Sequence, residues 1–163
     1  MTGRELNSFE QNMLSNIGTH GWYGLHVFDP DEASPRFSYS VGFPETLGAP
    51  EFIIFGLPNE LTHQMLWEVF RQIKAGAEPV HGRRWSDLLE GFDCFSLIAD
   101  HESLFSEYLI SSQWHWRHRQ REGSPSVMQL VWPSHATGLF PWEADCPESV
   151  VAAQPKLWKL PVP

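Results

Sequence analysis

A continuous apolar run, Phe52-Ile53-Ile54-Phe55, constrains the fold more than any other feature of the chain. Its residues do not alternate with polar ones, which is typical of a strand that is covered on both faces. We therefore expect this strand to lie in the centre of a sheet. Residues 36–42, in contrast, alternate apolar and polar side chains, as a strand buried on one face does.

Three helices are predicted around these strands. Residues 5–17 and the segment after Asn59 carry apolar residues at helical spacing, and a third helix is expected after Asp100, which can cap it. The segment 113–121 fits either a strand or a continuation of that third helix. Trp116 continues the apolar stripe of the helix, which favours a helix to about residue 120.

Together these patterns predict one α+β domain over residues 1–163. The sheet is expected to be mixed or antiparallel with about five strands, and about three helices are expected to pack mainly on one of its faces. The predicted strands are residues 20–29, 36–42, 52–55, 92–99 and 127–132. Residues 42–50 are predicted to form a loop, and the proline-rich segment 133–163 is predicted to be an irregular tail.

The composition is that of a folded protein from a reducing compartment. Apolar residues make up 42% of the 163-residue chain, which is ample material for a core. The two cysteines, Cys94 and Cys146, share no short spacing and are interpreted as free thiols. No apolar leader follows Met1, and no apolar run approaches the roughly 18 residues of a membrane span. We therefore expect a cytoplasmic protein that has no membrane partner.

The net charge of −9 restricts the possible partners. Phosphate backbones are bound by clustered Lys and Arg, and the only such cluster comprises Arg117, Arg119 and Arg121. A nucleic-acid partner is therefore not expected. An acidic surface that also carries some of the eight tryptophans can instead meet a basic protein, because opposite charges steer the encounter.

Several short motifs carry a family resemblance. They are Gly21-Trp22, residues 37–43, residues 50–57, residues 129–133, residues 138–142 and Gln154-Pro155. In order and spacing they resemble a bacterial family of unknown function, catalogued as four-two-six-two, over about residues 20–157. The resemblance implies a compact bacterial domain and carries no activity, cofactor or partner. Relative to that family, Ser40 replaces a Thr, Phe43 replaces a Leu, and Ser134 replaces an Asp.

The common catalytic and cofactor motifs are missing. The chain has neither a phosphate-binding G-x-x-x-x-G-K-[ST] loop nor a G-x-G-x-x-G turn, and it has no G-x-S-x-G around a serine nucleophile. Cys94 lies between Phe92 and Phe95 in an apolar strand, which favours a buried, inert thiol. We therefore expect no cofactor.

Metal binding has only weak support despite eight histidines. His115 and His118 are three residues apart, so a helix would place both imidazoles on one face, and these two are the weak candidates for metal ligands. Arg117 and Arg119 would repel a cation, and the H-E-x-x-H motif is missing. The sequence therefore predicts no metal site.

A pocket built from motif residues is the remaining candidate site. Tyr39 lies on the second strand, Glu51 at the start of the central strand, and Trp142 with Glu143 on a late loop. A carboxylate at the edge of an aromatic cavity can have a raised pKa and act as an acid or base. The alternative is that Tyr39 belongs to the core and Trp142 seals the tail onto the sheet.

Two functional hypotheses follow. The first is a non-catalytic bacterial interaction protein, either immunity-like or regulatory, that uses an acidic, Trp-rich surface. The second is a small-molecule binding protein or enzyme with a pocket near Tyr39 and Glu51. The first is preferred at this stage because no complete catalytic constellation can be written, so whether the chain is an enzyme stays open.

Overall fold

The computed structural model describes residues 5–163, so residues 1–4 of the predicted domain lie outside the described residues. Its strands are β1 (Tyr23–Val27), β2 (Phe37–Val41), β3 (Glu51–Phe55), β4 (Arg83–Leu89), β5 (Phe92–Ile98) and β6 (Val127–Val131). They form one sheet in the order β1-β2-β3-β6-β5-β4. β3 and β6 are parallel and the other neighbours are antiparallel. The α+β class and the mixed sheet are confirmed, with one strand more than the five expected.

The additional strand is the edge strand β4, which sequence patterns did not reveal. Trp85 and Leu88 are its buried residues, and their spacing of three does not match the period of two expected of a strand. The irregularity has a structural cause. The register with β5 shifts between Trp85 and Leu89, and Asp87 has a φ of 65°, so a bulge interrupts the alternation.

The central position predicted for residues 52–55 is confirmed. All five residues of β3 are buried, and alternate side chains enter two different cores. Phe52 and Ile54 point to one face of the sheet, and Ile53 and Phe55 point to the other. A strand with apolar side chains on both faces requires a covering layer on each.

The helices accordingly divide between the two faces, which corrects the expectation that they pack mainly on one. The helices are α1 (Ser8–His20), α2 (Phe43–Leu47), α3 (Asn59–Lys74), α4 (Ile110–His118) and α5 (Glu148–Ala153), with a π-helical turn at Leu104–Tyr108. α3 covers the face of Phe52, through Met65, Leu66 and Val69. α1 and the π-helical turn cover the face of Ile53, through Met13, Ile17 and Leu104.

Local capping sets the ends of α1. Asn7 and Glu10 form a reciprocal capping box, so the helix begins at Ser8, three residues later than predicted. It continues past Gly18 to His20, because the left-handed residue that ends it is Gly21, with a φ of 92°. The helix predicted after Asp100 is broken at Leu109 into the π-helical turn and α4. Helix rather than strand is confirmed for residues 113–118.

Two segments predicted to be irregular contain short helices. α2 lies within the predicted loop 42–50, and α5 lies within the predicted tail 133–163. Amide side chains attach the tail to the sheet. Gln129 binds the backbone of Pro155 and Leu157 at 2.7 and 3.1 Å, and Gln154 binds both backbone groups of Trp132.

Gly56 provides a test of how closely the tail packs. It has a φ of 78°, and a Cβ at this position would meet Ala153 at 2.9 Å. We expect Gly56→Ala to lower the free energy of unfolding by about 2 kcal/mol, from left-handed strain and from this contact. Gly76→Ala is the control because Gly76 also has a positive φ but no atom within 4 Å. Equal losses in urea unfolding for the two variants would contradict the close packing.

Candidate functional site

Glu51 holds the turn that leads into α2. Its carboxyl group is 1% exposed and accepts hydrogen bonds from Ser40 Oγ at 2.7 Å and from the backbone N–H groups of Gly42 and Phe43 at 2.8 and 3.2 Å. Gly42 adopts a φ of 107° at the start of α2. These contacts connect the ends of β2 and β3 to α2 and so fix where Glu45, on α2, is placed.

Burial raises the pKa of Glu51 to about 8, and the three hydrogen bonds oppose that shift only in part. The nearby Tyr39 is also buried. Desolvation raises the pKa of Tyr39, while a hydrogen bond from the backbone N–H of Ser111 to its hydroxyl, at 3.1 Å, opposes the shift. Both side chains therefore favour their protonated forms at neutral pH.

Glu45 joins α2 to the end of α4 through two side chains. Its Oε2 lies 3.1 Å from Nε2 of His115, and its Oε1 pairs with the guanidinium of Arg119. Burial lowers the pKa of His115 and the carboxylate of Glu45 opposes that shift. His115 is therefore largely neutral at pH 7, with the Nε2 hydrogen donated to Glu45, since a carboxylate only accepts.

An open groove of about 740 Å³ lies above this cluster, between α1, α2 and the end of α4. Its lining includes Ile17, Glu45, Thr46, His115, His118 and Arg119. Beneath the groove, a second space of about 10 Å³ touches Glu51, Ser112 and His115, which is room for about one water molecule. Glu51 is thus separated from the groove, and a molecule in the groove would meet Glu45 and Arg119.

The four residues predicted to form a pocket lie in two places. Tyr39 and Glu51 are on the neighbouring strands β2 and β3. Trp142 stacks on Phe140 at 5.1 Å and belongs to the apolar cluster on β5, while Glu143 accepts a hydrogen bond from the backbone of Phe140 at 2.8 Å. β6 lies between β3 and β5, so the two pairs do not converge.

The weak metal candidates, His115 and His118, both line the groove. His115 is paired with Glu45, and His118 stacks on Trp114 with ring centroids 4.8 Å apart. Among residues 5–163 no three His, Cys, Asp or Glu side chains are arranged to hold a metal ion.

Glu45 and Arg119 were missed as candidate site residues. Each is an ordinary charged residue in the sequence, and only the packing of α2 against α4 brings them together. The tryptophans are partly used in packing. Three of the eight are buried and the other five are half-buried, and most of them pack against the apolar clusters.

Comparison with known families decides the classification. A model described as Domain of unknown function (DUF4262) matches residues 16–147. The chain belongs to this family. No curated protein and no solved structure matches it significantly.

The DUF4262 match confirms the resemblance and shifts its limits from about 20–157 to 16–147. Glu45, Glu51, His115 and Arg119 lie inside the match, whereas α5 and the Gln154-Pro155 motif lie outside it. None of the helices described for residues 5–163 has the length and the apolar character needed to cross a bilayer.

Proposed function

We propose that this DUF4262 protein binds a small anionic molecule in the groove between α1, α2 and α4. The observation that carries the proposal is the guanidinium of Arg119, which is paired with Glu45 at the wall of a cavity of about 740 Å³. Cavities of this size accommodate small ligands. A guanidinium presents five donors, so those not used by Glu45 are available to a carboxylate or a phosphate.

The setting of Arg119 supports recognition rather than a simple surface ion pair. Its side chain is 38% exposed, while its partner Glu45 also contacts His115, which is only 5% exposed. A guanidinium already held by Glu45 loses less conformational entropy when a ligand binds. The pair therefore orders a cation that can still reach solvent.

The local charge also favours an anion. The chain has a net charge of −9, but Arg119 and Arg121 both border the small space beneath the groove, and Arg121 stacks over Trp116 at 4.8 Å. A small anion can approach these two cations without covering the rest of the chain, where carboxylates outnumber cations. A nucleic acid needs many more phosphate contacts, so the proposal is confined to small molecules.

The first hypothesis, an interaction protein that meets a basic partner, has no specific contact to favour it. The tryptophans that it required at the surface are buried or half-buried. As part of this proposal, the protein is bacterial and binds its small molecule in the cytoplasm. The proposal leaves open whether the bound molecule is also chemically converted.

The test is a binding experiment with defined anions. Thermal shift and calorimetric titration with citrate, succinate and inorganic phosphate are expected to find at least one that binds the native protein. Arg119→Gln is expected to weaken that binding about tenfold or more, since a hydrogen bond to a charged group contributes about 1.5–3 kcal/mol.

The matched control is Arg71→Gln. Arg71 also forms an ion pair, with Glu68 at 3.2 Å, but it is 59% exposed and lies on α3, outside the groove. The control should bind as the native protein does. Failure of all three anions to bind, or equal weakening by the two substitutions, would refute the proposed function.

A further inference from the structure

A second cavity, of about 330 Å³, borders other residues of α1, Asn16 and His20, and is separate from the groove. Its lining includes Trp22, Tyr23, Trp67, His20, His26 and His63. Ligand cavities are commonly of this size, mostly apolar or aromatic, with a few polar groups that orient the ligand. The lining matches that description.

The aromatic walls of the cavity are organised by ring contacts. Trp22 is 3% exposed and stacks on His63 with a centroid distance of 5.2 Å and an interplanar angle of 26°. Trp67 meets Trp22 edge to face at 5.6 Å. The Trp22 ring is held in the core and supports the rings of Trp67 and His63, which lie farther out. These two outer rings offer flat faces on which another aromatic ring can stack.

A chain of hydrogen bonds connects His26 to Ser38 and Thr62. The hydroxyl of Thr62 donates to the carbonyl groups of the preceding helical turn, at 3.1 and 3.3 Å. When Thr62 uses its only hydroxyl hydrogen in this way, its oxygen accepts the hydrogen of Ser38, at 2.8 Å. The oxygen of Ser38 then accepts from Nδ1 of His26, at 2.7 Å.

With this direction of the hydrogen bonds, the lone pair on Nε2 of His26 is a hydrogen-bond acceptor. His26 and Ser38 are directly paired across β1 and β2, so the strand register maintains the contact. Burial lowers the pKa of His26, and the neighbouring His63 lowers it further. The imidazole is therefore neutral at pH 7, and the acceptor is available to a ligand.

We infer that this cavity binds a planar heteroaromatic molecule that carries a ring N–H group. The ring stacks on Trp67 and His63, the outer rings that Trp22 supports, and its N–H donates to Nε2 of His26. This site is independent of the anion groove, because the two cavities share no lining residue.

The chemistry of the lining favours this ligand over a metal ion. His26 and His63 are adjacent, with ring centroids 5.8 Å apart, but within the described part of the chain no third His, Cys, Asp or Glu completes a set with them. Protein metal sites usually have at least three such ligands. The stacked rings, in contrast, match an aromatic ligand.

Indole and 1-methylindole are the probes, because they differ in the N–H group while keeping the same ring system. Isothermal titration of the full chain is expected to show three- to tenfold tighter binding of indole, the effect of one hydrogen bond of about 0.5–1.5 kcal/mol. His26→Phe keeps an aromatic ring but removes the acceptor. It is expected to bind the two probes equally.

Two further variants make the result specific. Trp67→Leu removes part of the stacking wall and should weaken both probes by similar factors. His135→Phe makes the same substitution at an exposed position outside the cavity and should leave the preference for indole unchanged.

Each of three results would overturn the inference. They are no binding of either probe, equal binding of both by the native protein, and a preference for indole that survives in His26→Phe. Stoichiometric Zn²⁺ binding that displaces indole and is lost in His26→Phe would also overturn it, in favour of a metal site. If His26→Phe does not fold, the native preference and the loss in Trp67→Leu still decide between these outcomes.

Discussion

Glu51→Leu is expected to lower the free energy of unfolding by about 3 kcal/mol or more. The carboxyl group accepts hydrogen bonds from Ser40 Oγ and from the backbone N–H groups of Gly42 and Phe43, all of them buried. Leucine has a similar size but no acceptor, so the three donors lose their partner at a cost of about 1–3 kcal/mol each. Urea unfolding at about pH 4, where Glu51 is protonated in both the folded and the unfolded chain, measures the difference.

Two comparison variants separate this effect from a general loss of charge. Glu51→Gln retains one acceptor oxygen and should cost less, about 1–2 kcal/mol. Glu102→Leu removes an exposed carboxylate and should change stability by less than about 0.5 kcal/mol. If Glu51→Leu were no more destabilising than Glu102→Leu, then the role of Glu51 in holding α2 would be wrong.

The stability of the fold is expected to contain a component that falls as the pH rises from about 4.5 to about 8. Burial raises the pKa of Glu51 to about 8 in the folded chain from its ordinary value of 4.5. At pH values between 4.5 and about 8, the Glu51 side chain has lost its proton in the unfolded chain but retains it in the folded chain. Folding is therefore penalised by up to about 1.4 kcal/mol for each pH unit. Below this window the contribution to stability is complete, and above it the penalty is constant.

Unfolding of the native protein and Glu51→Gln, followed across this pH range, isolates the contribution of Glu51. His26 and His115 titrate in both proteins, and their lowered pKa values contribute a stability component that rises with pH, so only the difference between the two proteins is interpreted. The free energy of unfolding of the native protein minus that of Glu51→Gln should decrease steadily toward pH 8. A constant difference would mean that Glu51 is ionised in the folded chain throughout the range.

The elements found from the sequence are those whose signal is local. The apolar run of β3 predicted a central strand, and the stripe of α3 predicted a long amphipathic helix. β4 escaped because its bulge at Asp87 disrupts the alternation. α2 escaped because a five-residue helix has too little of a periodic pattern to recognise.

The candidate site was only partly predictable for a related reason. The spacing of His115 and His118 predicted that a helix brings both to one face, and Glu51 was predicted to lie at the start of the central strand, where β3 begins. The pairing of Glu45 with Arg119 depends on how α2 packs against α4, and residues so far apart in sequence carry no sign of it.

The amino-acid sequence by itself determined the α+β class, the central strand and the DUF4262 family, because periodicity and short motifs are properties of neighbouring residues. The tertiary structure decided which side chains meet. Strand order placed β6 between Glu51 and Trp142, and it brought His26 against Ser38. Strand order follows from how both faces of β3 are covered, which is a balance of packing over the whole chain that no single segment records.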